Sequence, residues 1–306
     1  MRTLAASLMA LALSAGPALA EPAMWKVSDA DSSIFLFGSI HLFTRQIDWR
    51  TPEFDRELKA ADHVYFEMVF DEAAYATIGR MMFVEGRLRD GRTLWDLLTG
   101  EQAAAVREAI ASSGLDPAGF DYMQPWMAEL MLSGGMVQGA KVGVELQVDP
   151  EVPAERKRGL ETAEEQMGFF ASVSETDQVA NLVNTAGQLA TVDGREVIEQ
   201  LTDAWAAGDV DTLDVLNRAE LGGGDPRFDQ LITQRNERWI GQLKTLLADN
   251  DNALVIVGAG HLVGKGGVPD LLRQAGYAVE LVSEPPAEDE MSGTTGAPDP
   301  RAAQPR

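Results

Sequence analysis

Ala253-Leu254-Val255-Ile256-Val257 is apolar at every position and then breaks at Gly258-Ala259-Gly260-His261. The run is too short for a stable helix and lacks polar alternation, which marks a strand buried on both faces, as in a parallel sheet covered by helices. A matching pattern stands near the other end of the chain, where Ile34-Phe35-Leu36-Phe37 runs into Gly38-Ser39-Ile40-His41. Thr51 then reads as a helix N-cap, with Pro52 at the first helical position, where its missing N–H costs nothing. That helix runs through Leu58 to Ala61 and is followed by another buried strand, His63-Val64-Tyr65-Phe66-Glu67. Strand, helix and strand within about 35 residues make a βαβ unit, which predicts a parallel pair joined by a right-handed crossover.

Met24-Trp25-Lys26-Val27 predicts a further strand, joined to the one at Ile34 by the polar turn Ser28 to Ser33. The middle of the chain is helical. Thr99-Gly100-Glu101-Gln102 and Thr162-Ala163-Glu164-Glu165 are capping boxes, and helices are expected over 176–192, 195–207 and 210–219. Arg158-Gly159-Leu160-Glu161 reads as the end of a short strand. Asp225-Pro226 caps a long helix to Ala248 whose apolar stripe includes Phe228, Ile232, Trp239, Leu243 and Leu247. Arg235 falls inside that stripe with Asn236 beside it, and a charge on a core-facing stripe needs a partner. A helix over 268–275 and a strand over 278–282 complete the pattern. The fold class expected is α/β, with a mixed, largely parallel central sheet flanked by helices and a large helical middle segment.

Arg2, the apolar stretch Leu4 to Leu13 and the small-residue site Ala18-Leu19-Ala20 have the layout of a cleaved secretory signal over residues 1–20. The stretch is too short for a membrane span, which needs about 20 apolar residues, and no later stretch could cross a bilayer. The expectation is a periplasmic or secreted protein with one domain over 21–283. From Glu284 to Arg306 the chain is Pro-rich and acidic, and is expected to be a disordered tail. There is no cysteine, so disulfides and thiolate metal sites are excluded. The 48 acidic residues against 25 basic ones give a net charge of −23, which argues against nucleic acid as a partner.

Glycine lets each strand turn sharply and present its histidine above the sheet edge, and ligands of open α/β sheets bind at the carboxyl ends of parallel strands. Glu67 closes a third strand in the same way, so His41, Glu67 and His261 are expected to converge. Two neutral imidazoles and a carboxylate could hold a divalent ion that activates water. Alternatively, one histidine could act directly as a general base oriented by the carboxylate. Arg235 could pair with a carboxylate or stabilise an oxyanion. Set against these, a histidine at a strand end is more often a hydrogen-bonded structural residue, and His63 has no partner in view. No P-loop Lys-Ser/Thr follows the glycines from Gly258 to Gly267, and no G-x-G-x-x-G stands between strand and helix, so nucleotide binding is discounted.

Taken in order, Trp25, Phe37-Gly38-Ser39-Ile40-His41, Ala61-Asp62 with Glu67, Gly159-Leu160-Glu161-Thr162 with Glu165-Gln166, Arg235-Asn236-Glu237-Arg238-Trp239 and Val257-Gly258-Ala259-Gly260-His261-Leu262-Val263-Gly264 resemble the TraB/GumN family. That family is related to the Tiki proteins, metal-dependent proteases acting outside the cell, and more distantly to erythromycin esterases and ChaN-like proteins. The resemblance implies that His41 and His261 are the two motif histidines and Glu67 the acid that joins them. Glu161, Arg235 and Asn236 correspond to other recurrent motifs. It implies a metal-dependent hydrolase, a peptidase by preference, in which manganese, cobalt or zinc is held by His41, Glu67 and His261. Its substrate would be a peptide or another molecule of the cell envelope. A metal-independent hydrolase of the esterase type, and a non-catalytic binding protein for an envelope polysaccharide or small ligand, stand as alternatives.

Overall fold

The computed structural model describes residues 21–135, 140–191, 194–221 and 228–282. The expected leader, the expected tail and the Asp225-Pro226 cap lie outside the described residues. Six strands form the main sheet: β1 (Met24–Ser28), β2 (Ser33–Ser39), β4 (His63–Phe66), β6 (Lys157–Gly159), β7 (Ala253–Gly258) and β8 (Ala278–Val282). Their order is β6-β4-β7-β2-β1-β8. β2, β7, β4 and β6 run parallel, while β1 pairs antiparallel with both β2 and β8. A separate two-stranded ladder joins β3 (Leu42–Phe43) to β5 (Lys141–Val142). The α/β class with a mixed, mostly parallel sheet is therefore the observed one.

The βαβ expectation needs one correction. β2, helix α1 (Pro52–Ala60) and β4 do follow one another, and the two strands are parallel, but they are not neighbours. β7 lies between them, with Phe35 opposite Leu254 on one side and Val64 opposite the same residue on the other. The physical reason is in the composition of β7: Ala253 to Val257 are all buried, so this strand gains most from the centre of the sheet.

The helices begin where local chemistry dictates. Thr51 Oγ1 accepts the Phe54 N–H at 3.1 Å ahead of Pro52. The capping boxes at Thr99 and Thr162 open α3 (Gly100–Ser112) and α6 (Ala163–Ala171). α2 (Glu72–Val84) precedes α3, α4 (Pro125–Gly135) and α5 (Val144–Val148) lie between α3 and α6, and α7 (Glu175–Thr191), α8 (Gly194–Ala206) and α9 (Val210–Leu221) follow. The long helix expected to reach Ala248 is continuous over its described residues but changes its hydrogen-bond period once. A π-helical turn, Asp229–Thr233, precedes α10 (Gln234–Ala248). The last helix is α11 (Val268–Gln274).

The main core packs the sheet against α1, α10 and α11. The helical middle segment has a core of its own, in which α3, α4 and α7 enclose Val106, Ile110, Leu132 and Leu182. Among the described residues no helix is long and apolar enough to cross a membrane.

The end of β2 is held by an aromatic cluster. Phe37 meets Phe54 at 4.6 Å between ring centroids, and Trp49 meets Phe54 at 4.9 Å. Trp205 closes the group and donates its indole N–H to the Gly38 carbonyl at 2.7 Å. Replacing Trp205 by Phe keeps the ring but orphans that buried acceptor. The expected cost is about 1–3 kcal/mol, read as a lower denaturation midpoint with unchanged slope; an unaltered midpoint would contradict this account of the strand end.

Candidate functional site

Each of the four parallel strands ends on the same edge of the sheet and delivers one polar side chain there. Glu67 follows β4 directly, and His41, Glu161 and His261 stand two, two and three residues beyond β2, β6 and β7. The β4–β6 pairing continues past the strands, with Leu160 N–H on Phe66 O at 2.9 Å and Glu161 N–H on Glu67 O at 2.8 Å. This sets the two glutamates side by side. Arg235 and Asn236 reach the same edge from α10 and are both buried. Of the six residues singled out in the sequence, Glu67, Glu161, Arg235, Asn236 and His261 are joined by hydrogen bonds, and His41 stands beside them.

Arg235 is its centre. Its Nε and Nη2 donate to Glu161 at 2.8–3.1 Å, and Nη2 also donates to Glu67 Oε2 at 2.6 Å. Nη1 donates to the Leu231 carbonyl at 3.2 Å and lies 3.1 Å from His261 Nε2. Leu231 lies within the π-helical turn just upstream, and such turns recur at functional sites. The faces of Trp239 and Phe169 flank the guanidinium at 5.0 and 5.5 Å. Burial works against its charge, but the two carboxylates outweigh that and raise its pKa further.

His261 is fully enclosed. Asn236 fixes its tautomer: the amide nitrogen faces the carbonyls of His261 and Gly266 at 3.3 and 2.9 Å, so the amide oxygen must accept from His261 Nδ1–H at 2.7 Å. Nε2 is left as an acceptor for Arg235. Burial, with Arg235 alongside, lowers the His261 pKa to about 3 against the opposing pull of Glu67, so this ring is neutral.

Burial alone would push the Glu67 carboxyl up. The positive groups facing it, with Arg235 the permanently charged one, hold it well below the usual carboxylate range. Gly258 N–H donates to its Oε1 at 2.8 Å and the Gln166 amide to its Oε2 at 3.2 Å.

His41 differs from its counterpart. Its side chain is 65% accessible, and Nδ1 lies 2.7 Å from Glu145 Oε1. The negative charge of Glu145 raises the His41 pKa to about 9, in the direction opposite to that at His261. Glu145 also accepts from the buried Ser39 hydroxyl. A close backbone approach brings α5 here: Gly143 N–H donates to His41 O at 2.9 Å and Val144 N–H to Ile40 O at 3.0 Å. A Cβ at Gly143 would overlap the carbonyls of Ile40 and His41. Sequence reasoning missed Glu145, Ser39 and Gln166 as site residues. The only local signal for Glu145 was the glycine two residues before it.

The convergence point lies above Gly258, where a Cβ would stand 3.1 Å from Glu67 Oε1 and 3.7 Å from both His41 Nε2 and His261 Cδ2. His41 and Glu67 also line a pocket of about 420 Å³, together with Glu145 and Gln166. His261, Arg235 and Glu161 are not among its lining residues and lie beneath the floor. His63 stands apart, paired with Asp251 at 3.0 Å.

The donor set fits a divalent ion only in part. Glu67 Oε1 and His41 Nε2 face the common point, and His261 Nε2 lies 3.8 Å from Glu67 Oε1. However, the His261 Nε2 lone pair is aimed at Arg235, and the guanidinium already neutralises Glu67 Oε2. Among the described residues no group of three His, Asp or Glu side chains is arranged to hold a metal ion.

A family model described as the TraB/PrgY/gumN family matches residues 23–281. No curated protein and no solved structure matches the chain.

Removing Arg235 leaves two buried carboxylates without their shared cation. Arg235→Met is expected to lose about 3–5 kcal/mol of stability at pH 7. Glu67 has a depressed pKa in the folded protein, so its contribution is present above the ordinary 4.5 and disappears as pH falls below it. The deficit of the variant should therefore shrink on acidification, as Glu67 takes up a proton. Denaturation midpoints at pH 7 and pH 3 bracket that window, and a deficit that does not change between them would contradict the pairing.

Proposed function

The chain belongs to the TraB/PrgY/gumN family, and we propose that it is an exported hydrolase that cleaves a carbonyl-centred bond, an amide or ester, at the pocket above Gly258. The observation that carries the reading is His41: tethered through Nδ1 to Glu145, it turns Nε2 towards Glu67 in the pocket. A carboxylate on Nδ1–H fixes the tautomer that leaves Nε2 free to take a proton. In this mechanism Nε2 removes a proton from water as the water oxygen attacks the carbonyl carbon. The same proton then passes to the departing amine or alcohol as the old bond breaks. Gln166, on the pocket lining, is the side-chain donor assigned to the carbonyl oxygen. Arg235 is assigned to holding Glu67 ionised and in place, because its donors are committed to protein partners below the floor. Export rests on the leader pattern of residues 1–20, and a peptide or other envelope molecule is the proposed substrate.

A second reading places manganese, cobalt or zinc between His41, Glu67 and His261. It is supported by the convergence above Gly258 and by charge: two buried carboxylates share one guanidinium, which leaves an excess of negative charge beside His41. An ion there would supply Lewis-acid activation of water. It would require Arg235 to release His261 Nε2, and no step is derived through it.

The tests separate the two. His41→Ala should lower kcat/KM by about 10²–10⁴ on a panel of peptide and ester substrates, with the folded state intact by circular dichroism. If His41 is the base, activity rises with pH, because the unprotonated ring exists only above its pKa. The ascending limb should fall between the ordinary 6.5 and about 9, since the ring is open to pocket solvent, and it should move down in Glu145→Gln. Activity that survives thorough chelation favours the metal-free mechanism. Activity lost on chelation and restored by one ion, with that ion bound stoichiometrically, would overturn it in favour of the second reading. No turnover on any substrate, with ligand binding retained in His41→Ala, would leave a binding protein.

A further inference from the structure

Taking its location from the hydrolase reading but not its test, we propose that the cavity above His41 is a subsite for one large apolar group attached beside the cleaved carbonyl, with helix α2 as its adjustable wall. The lining is mainly apolar in area: Leu42, Phe66, Met68, Phe70, Tyr75 and Leu146 stand beside the polar His41, Glu67, Glu145, Asp149 and Gln166. A volume of about 420 Å³ lies within the range of cavities that enclose ligands.

Each ionic group on the lining already has a protein partner. Glu145 pairs with His41, Glu67 with Arg235, and Asp149 with Lys157 at 2.8 Å. An ionic substituent entering the cavity would lose hydration without gaining an unpaired partner. A neutral apolar group faces no such penalty.

At the mouth, Phe70 and Tyr75 are 42% and 60% exposed and touch each other with ring centroids 5.9 Å apart. Single exposed apolar residues are ordinary, but two aromatics in contact at the lip of an apolar cavity offer area that only an occupant would bury.

The wall that carries Tyr75 buries few of its own residues. α2 buries only Ala74 and Met81. Met81 packs on Met127, Met167 and Trp126, with Met82 of the same helix and Met123 and Met131 partly buried around them. Unbranched thioethers repack at little cost, so a helix resting on them can shift to suit occupants of different shape.

Equilibrium binding of alcohols with no bond to hydrolyse tests this on the full chain by calorimetry. N-Methanesulfonyl-L-phenylalaninol should bind about tenfold or more tightly than N-methanesulfonylethanolamine, as expected for burying one large side chain. The leucinol and tryptophanol analogues should fall within about fivefold of it, given the adaptable bed. Tyr75→Ser, at an exposed position, should weaken the aromatic ligand and leave the small one unchanged. Preference for the L over the D enantiomer identifies an amino-acid side chain as the natural occupant. Binding of 1-octanol as tight as phenylalaninol, without enantiomer preference, identifies an acyl chain, and both outcomes support the subsite. Equal binding of the small analogue, or no effect of Tyr75→Ser, would overturn it, and acceptance of a single shape would overturn the adjustable wall. Size-dependent binding without turnover defeats the hydrolase reading alone, whereas turnover without size dependence defeats this inference alone.

Discussion

One guanidinium holds the rim of the sheet together. Arg235 is buried and bonded to Glu67 beyond β4 and Glu161 beyond β6, and it also meets His261 beyond β7. Three strand ends are therefore joined to α10 through a single side chain. Such pairs add little net stability against an apolar alternative, because desolvating three charges consumes most of the Coulombic gain. What they supply is geometry, since a bidentate, permanently charged fork permits few arrangements of its partners.

The fold was largely legible because its elements carry strong local signals. The apolar run at Ala253, the Thr51-Pro52 helix start and the two capping boxes each specify an element without help from the rest of the chain. Strand order is a different kind of information. Nothing local to β2 or β4 says that β7, from some two hundred residues downstream, separates them. That follows from a competition in which the most apolar strand takes the centre. The π turn at Asp229–Thr233 was hidden for the opposite reason, since an apolar stripe of helical period continues through it with little change.

At the site, the residues that close strands were legible, and those that act on them were not. His41, Glu67 and His261 announce themselves by ending apolar runs, and Arg235 by standing on an apolar stripe with no partner in its own helix. Glu145 has no such mark. It reaches His41 through a two-stranded ladder and a backbone approach that only Gly143 permits, and both are tertiary facts. Gln166 sits in an ordinary first turn of α6, where its bond to Glu67 cannot be guessed from sequence.

Matching motifs also do not make matching histidines. The two G-x-x-H segments end neighbouring parallel strands, yet their rings are driven in opposite directions. His261 is buried beside a fixed cation and hydrogen-bonded at both nitrogens, so it stays neutral and acts as a strut between Asn236 and Arg235. His41 lines the pocket with its side chain largely exposed and set against Glu145, with Nε2 turned to the point above Gly258. The local sequence determines that a histidine will stand at the sheet rim. Whether that ring carries a proton is decided by what the remainder of the chain packs against it. Only His41 has both the neighbour that tunes it and the opening through which a substrate could reach it.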